Sequence, residues 1–259
     1  MRLGERFIKI IIDYALKSDV DEIYVTMFEN KREEVNALMG LMKEWGFYKW
    51  GYKSQEDPLE EKEVVLVKDM KKYIPEEDAK FNYPFINRNA KVSFLPIESK
   101  WHSKLFPDLH LNNEDMSLYP DMACGYAIEK IYVTKWIPDT VKINDVLLIY
   151  RISDLEPKKY HSVVTGYCIV EDIIKADSFN EYLNICKNKT VFTHDELDDM
   201  YNNQGRKYIL KILFSRALNK KINYNELVKG NIIKDGPRLS TTISNADFIK
   251  LKRLGECDE

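Results

Sequence analysis

Cysteine is scarce and scattered. Cys124, Cys168, Cys186 and Cys257 form no C-x-x-C pair, and none of the four histidines stands at ligand spacing from them. That excludes the familiar zinc arrangements, reads as reduced thiols, and leaves no metal centre to expect. Ten glycines and nine prolines in 259 residues are too few for a collagen-like or low-complexity chain. Long apolar runs are also missing. The most apolar stretches, such as 8–12 and 146–150, fall far short of the roughly 20 residues that cross a bilayer, so no membrane partner is expected. No apolar signal core follows Met1, and the expected location is cytoplasmic. Nor does one sign of charge dominate, since 39 Lys+Arg against 42 Asp+Glu leave a net charge of -3.

What is present is a folding composition, 44% hydrophobic and 12% aromatic, with material for one or two domains. Residues 3–17 space Phe7, Ile8, Ile11, Tyr14 and Ala15 three and four apart, which predicts an amphipathic helix. Glu22 to Phe28 is β-branched and aromatic and reads as a buried strand. A helix over 31–45 turns Val35, Leu38, Met39 and Met42 to one side and ends at Gly46. Two strands follow, Phe47 to Lys53 and Val64 to Val67. Residues 71–82, rich in charge and poor in apolar side chains, read as a linker between a domain over 1–70 and another over 83–255.

The second region changes to short strands at Ala90–Leu95, Ile128–Lys135, Asp145–Ile152, Val163–Asp172 and Tyr208–Leu218, which suggests a small barrel or a mixed α+β domain. Ser178 with Glu181, Thr193 with Glu196 and, more weakly, Ser244 with Asp247 announce helix starts. Charge is uneven here. Residues 206–253 hold twelve Lys/Arg against Glu226, Asp235 and Asp247, a net of 12 - 3 = +9. Such an excess is what a phosphate-facing surface carries, and also what a solvated face beside acidic helices carries.

The order helix, strand, helix ending in Trp45-Gly46-Phe47, then two strands resembles the C-terminal half of a GNAT-type N-acetyltransferase over about the first 70 residues. In that family the turn R/Q-x-x-G-x-G/A at a helix N-terminus holds the diphosphate of acetyl-CoA on backbone N–H groups. The resemblance places Gly4 at the last glycine of that turn, with Arg2 and Glu5 beside it as the cofactor-binding candidates, and acetyl-CoA as the implied cofactor. The leading residue of the turn would fall before Met1. The family's Y-E-K-x-G-F phrase reads Met42-Lys43-Glu44-Trp45-Gly46-Phe47 here, so the tyrosine that could act as general acid is replaced and no catalytic residue is named. The resemblance therefore implies an incomplete acetyltransferase, whose sheet a missing N-terminal polypeptide or an oligomer partner would complete.

Gly125-Tyr-Ala-Ile-Glu-Lys-Ile-Tyr132, Lys142-Ile-Asn-Asp-Val-Leu-Leu-Ile-Tyr-Arg151 and Gly166-Tyr-Cys-Ile-Val-Glu171 resemble the ASCH/EVE group of PUA-like domains, small β-barrels that bind RNA or modified nucleobases. Asn144 stands where the family usually has a glycine, and Asn tolerates a left-handed turn. The whole chain thus reads as α+β: a partial GNAT-like α/β sheet unit followed by a PUA-like β-barrel domain with inserted helices. A single-stranded base needs a ring to stack on and cations for its phosphates. Lys130, Tyr132, Lys135 and Trp136, with Trp101 in Trp-His-Ser-Lys104, Arg151 at a strand end and Arg238 in a polar loop, are the nucleic-acid-binding candidates; packing or an internal ion pair is the competing reading for each. Three functions remain open: an acetyltransferase delivered to RNA or modified nucleic acid, a non-catalytic reader with the first segment as scaffold, and an interaction module completed by a second chain.

Overall fold

Helix α1 (Leu3–Lys17) buries Ile8, Ile12 and Ala15, three and four residues apart, and leaves Phe7, Ile10 and Tyr14 exposed. These belong to a computed structural model of the chain, which describes residues 3–28, 33–53, 62–111, 114, 123–187 and 189–257. The chain divides into two units, residues 2–86 and residues 87–259.

In the first unit, α1 leads into β1 (Glu22–Phe28), α2 (Glu33–Glu44), β2 (Tyr48–Tyr52) and β3 (Glu63–Asp69). The strands form an antiparallel sheet in the order β1-β3-β2. β1 is not the buried strand its composition predicts. Its residues alternate between exposed and half-buried, because one face carries Tyr24, Thr26 and Phe28 into solvent while Ile23, Val25 and Met27 point the other way. Only the central β3 is buried, through Val64, Leu66, Val67 and Lys68. Gly46 ends α2 in the left-handed region (φ 81°), and a Cβ there would run into the Phe81 carbonyl and the Lys68 ammonium.

The stretch read as a linker over 71–82 carries structure of its own. Asp78 caps a one-turn helix, α3 (Ala79–Asn82), by accepting from the Phe81 N–H. The Asn82 side chain donates to the carbonyls of Ile74, Glu77 and Asp78, and Lys68 donates to the Phe81 carbonyl at 2.9 Å. Tyr83 stands edge-on to Trp45 at 5.3 Å. The boundary between units falls after Ile86.

The second unit holds β4 (Val92–Glu98), α4 (Ser99–Leu105), β5 (Glu129–Thr134), β6 (Val146–Ile152), α5 (Lys158–His161), β7 (Val163–Lys175), α6 (Phe179–Cys186), α7 (His194–Asp198), β8 (Tyr208–Asn223), α8 (Tyr224–Lys229), β9 (Thr242–Ile243) and α9 (Asn245–Leu254). Its strands make one mixed sheet, β5-β8-β7-β6-β4-β9, in which only β4 and β6 run parallel. The expected closed barrel is not found among the described residues, since β5 and β9 end the order without pairing to each other. The fold is α+β with mixed sheets. Two apolar clusters fill it. Leu95, Phe106, Leu147, Ile149, Leu210 and Phe214 belong to one; Ile131, Val133, Tyr182, Met200 and Ile209 belong to the other.

The helix starts read from sequence are present. Ser178, Thr193 and Ser244 each accept from the N–H three residues on, and Thr193 with Glu196 closes a full capping box. Asn223 with Glu226 makes a second box at α8. Asn144 takes φ 70°, as its place in a glycine position requires. The neighbouring Asp145 carboxylate accepts from the N–H groups of Lys142 (2.8 Å) and Lys91 (3.0 Å), tying that turn to the start of β4.

Candidate nucleic-acid interface

The site is built on α4, a seven-residue helix straight after β4. Its inward positions, Ser99, His102 and Ser103, are buried, so the helical period leaves Lys100 exposed and Trp101 and Lys104 half-buried, with Trp101 packed at the edge of the first apolar cluster. The Lys100 and Lys104 ammoniums stand 5.0 and 5.1 Å from the Trp101 ring centre, and Phe192 meets that ring edge-on at 4.8 Å.

Trp101 lines an open cavity of about 160 Å³ together with Glu98, Lys100, Glu196, Asp199, Met200, Gln204 and Arg206. Ligand pockets for drug-sized molecules run to about 300–1,000 Å³; this one is sized for a single ring system. Its carboxylates are engaged locally. Glu98 pairs with Lys100 at 3.2 Å, Glu196 accepts from the Thr193 N–H at 2.8 Å, and Asp199 accepts from Asn203 (2.8 Å) and Gln204 (2.6 Å). Those two amides hold the Asp199 carboxyl below the usual carboxylate range. Arg206 makes no ion pair within 4 Å among the described residues, though its charge also helps keep Asp199 ionised, so the cavity holds a cation close to that carboxylate.

Sheet register extends the positive surface. Thr134 pairs with Tyr208, which pairs with Lys175 on its other side. Lys135 and Trp136, just past β5, therefore lie at the same end of the sheet as Arg206, Lys207 and Lys175. Lys135 is exposed and Trp136 is 59% exposed. Trp101 thus shares a cavity with Arg206, and Trp136 lies at the end of the sheet from which Arg206 leads into β8.

The other candidates go elsewhere. Lys130 is buried, its ammonium donating to the carbonyls of Cys124 (3.0 Å) and Gly125 (2.7 Å). Tyr132 donates to the Pro96 carbonyl at 3.2 Å, and burial pushes its hydroxyl pKa up. Arg151 is buried and pairs with Glu114. Arg238 is exposed before β9, which pairs with Val92 and Ser93. Trp101 follows the opposite end of β4, roughly 17 Å away at about 3.3 Å per residue. The basic stretch 206–253 likewise does not make one surface. Lys211 pairs with Asp172, half-buried Lys221 donates to the Leu218 carbonyl, and Lys250 donates to the Gly230 carbonyl.

Sequence reasoning missed Lys100, Arg206 and the inward cluster of His102, Ser103 and Glu114. The available signal was the i, i+4 pair Lys100 and Lys104 around Trp101, once that stretch is read as a helix.

In the first unit, Arg2 lies outside the described residues. Gly4 sits in the first turn of α1, where a Cβ would stand 2.5 Å from Leu41 Cδ2, so it serves close packing on α2. Glu5 adds a buried carboxylate to the same turn, an acceptor where a diphosphate needs donors. The described part of this turn does not fit the diphosphate of acetyl-CoA. Met42, in the place of the family's tyrosine, is buried. Among the described residues no three His, Cys, Asp or Glu gather as a metal-ligand set, and no helix is long and apolar enough to cross a membrane.

No family model matches the sequence. No curated protein matches it either. Among solved structures, the chain is similar to the ASCH protein of Zymomonas mobilis, with 17% identity and a TM-score of 0.40 over 65% of this chain and 96% of that one. A point mutant of the same protein gives 14% identity and a TM-score of 0.44 over 66% of this chain and 99% of that one.

Proposed function

We propose that residues 87–259 form a nucleic-acid reader that takes one unpaired base of RNA or of modified nucleic acid against Trp101, with no chemistry performed on it. The observation that carries this reading is the Trp101 ring, which has two lysine ammoniums 5.0 and 5.1 Å from its centre and lines one small cavity with Arg206. An aromatic face supplies sequence-tolerant stacking. Beyond the bonds already made through one atom each, Gln204, Glu98 and Glu196 keep a side-chain oxygen that can accept from a base edge, and Arg206 can donate to one. Lys135, Lys175 and Lys207 continue the positive surface toward Trp136 for the phosphates on either side. The likeness of three segments to ASCH/EVE domains supports the same reading.

Fluorescence anisotropy with short single-stranded RNA and DNA tests it. Affinity is expected to fall steeply between 50 and 200 mM salt, conditions chosen for the phosphate term. Trp101→Ala is expected to weaken binding about 5- to 150-fold, the worth of one stacked base at roughly 1–3 kcal/mol. Binding that ignores salt, or that survives Trp101→Ala unchanged, overturns the reading.

A further inference from the structure

On the inner side of α4 lies a second polar cluster. Ser103 donates to Glu114 Oε2 at 2.7 Å, the Leu111 N–H donates to the same oxygen at 3.0 Å, and Arg151 Nη2 donates to Oε1 at 2.5 Å. Three donors therefore converge on one carboxylate in an environment where both Arg151 and Glu114 side chains are about nine-tenths buried. Among the described residues two buried polar atoms here have no partner, Arg151 Nε and His102 Nδ1.

Arg151 Nε carries a proton and is a donor. With the Thr165 hydroxyl assigned as donor to the Ile149 carbonyl at 3.3 Å, it accepts from His102 Nε2 at 2.9 Å, and this assignment puts the imidazole proton on Nε2. Burial, reinforced by the charges of Arg151 and Lys221, pushes the His102 pKa down to about 3, so the ring is neutral and Nδ1 is a bare acceptor. With Arg151 and half-buried Lys221 positive, His102 neutral and Glu114 negative, the cluster keeps one positive charge in excess.

We propose that this cluster is a recognition site for a phosphate monoester, with the Glu114 carboxylate occupying the seat in the ligand's place. Phosphate oxygens satisfy Ser103, the Leu111 N–H and the Arg151 fork, including the idle Nε, because a guanidinium matches phosphate geometry through paired N–H groups. In its monoprotonated form the monoester also brings a P–OH, the donor that His102 Nδ1 lacks. An internal phosphodiester has no such hydroxyl. The site therefore selects a terminal phosphate, whether at the end of a nucleic-acid strand or on a free mononucleotide or phosphate ion. A carboxylate leaves both orphaned atoms unsatisfied; the phosphate monoester does not.

The test compares the native chain with Glu114→Gln, first against inorganic phosphate by calorimetry and then against oligonucleotides ending in either a phosphate or a hydroxyl. Glu114→Gln is expected to bind inorganic phosphate about tenfold tighter than the native chain, the scale of one freed charge-assisted hydrogen bond. Adding Arg151→Gln to that variant should abolish the gain. Inorganic phosphate carries no base, so this arm is independent of the Trp101 reading. A gain confined to inorganic phosphate and mononucleotide assigns the site to free ligands, whereas a gain that follows the phosphorylated strand end assigns it to nucleic acid. If Glu114→Gln does not fold, nitrogen NMR of the native His102 ring gives the answer. Phosphate is expected to shift the Nδ1 resonance. A folded Glu114→Gln with no gain for phosphate, or an unmoved Nδ1 resonance, reduces the cluster to a structural ion pair and overturns the proposal.

Discussion

The two units differ in what surrounds their exposed aromatic residues. In residues 2–86, Tyr14, Tyr24 and Trp50 are each at least 70% exposed, and β1 contains no buried residue. In residues 87–259, Phe94, Phe106 and Tyr182 are buried to 1% exposure or less, with Trp136 the large exception. In the second unit aromatic residues fill a six-stranded core, and half-buried Trp101 joins two lysines to a cavity. In the first, Trp45, Phe47 and Tyr83 are buried, and the exposed rings lie mainly on a three-stranded sheet, where Tyr52 has the Lys49 ammonium 4.1 Å from its ring centre. The difference teaches that exposed rings matter for recognition when charge and concavity accompany them, and composition alone reports neither.

Substitutions can break or sharpen this contrast. The largest effect is expected at Phe106, which packs against His102 and Phe214 at 5.9 and 5.8 Å. Phe106→Ala should cost about 3–5 kcal/mol of stability by denaturant unfolding. Next comes acid sensitivity of the second unit. His102 titrates near 3 when folded and near 6.5 when unfolded, so between those values the unfolded chain binds the extra proton. Stability is then complete above pH 6.5 and falls as the solution is acidified, by up to about 1.4 kcal/mol per pH unit. His102→Gln, which can still donate to Thr165, should flatten that slope in pH-dependent unfolding. Thr193→Ala removes the α7 cap and should cost about 1 kcal/mol. Smallest of all, Trp50→Ala in the first unit should change stability by less than about 0.5 kcal/mol. A larger loss there would mean that the exposed rings of the first unit are structural after all.

Much of the chain was legible before any coordinates. Periodicity located α1 to the residue and β1 with the same bounds, and side-chain chemistry located the caps at Ser178, Thr193 and Ser244 and the left-handed turn at Asn144. These are local properties. Burial was less legible, because it depends on what covers an element. β1 has a core composition but only one covered face, and residues 71–82 have a linker composition but are anchored through the Asn82 side chain. The site was legible only as residue types. Trp101, Lys135 and Trp136 were within reach, yet Arg206, which shares the Trp101 cavity, stands about 105 positions from that ring. Lys130 shows the converse. Its neighbours suggest a cationic surface, but its ammonium goes inward to two carbonyls that only the turn at Ala123–Tyr126 brings close.

The central claim is that one ring out of four tryptophans receives a base. Its most direct measurement is the affinity of a short single-stranded RNA for Trp101→Ala beside Trp50→Ala, two substitutions of the same size in the two units. The account predicts a loss of at least about fivefold for the first and none for the second. Equal affinities, or a greater loss at Trp50, would contradict it.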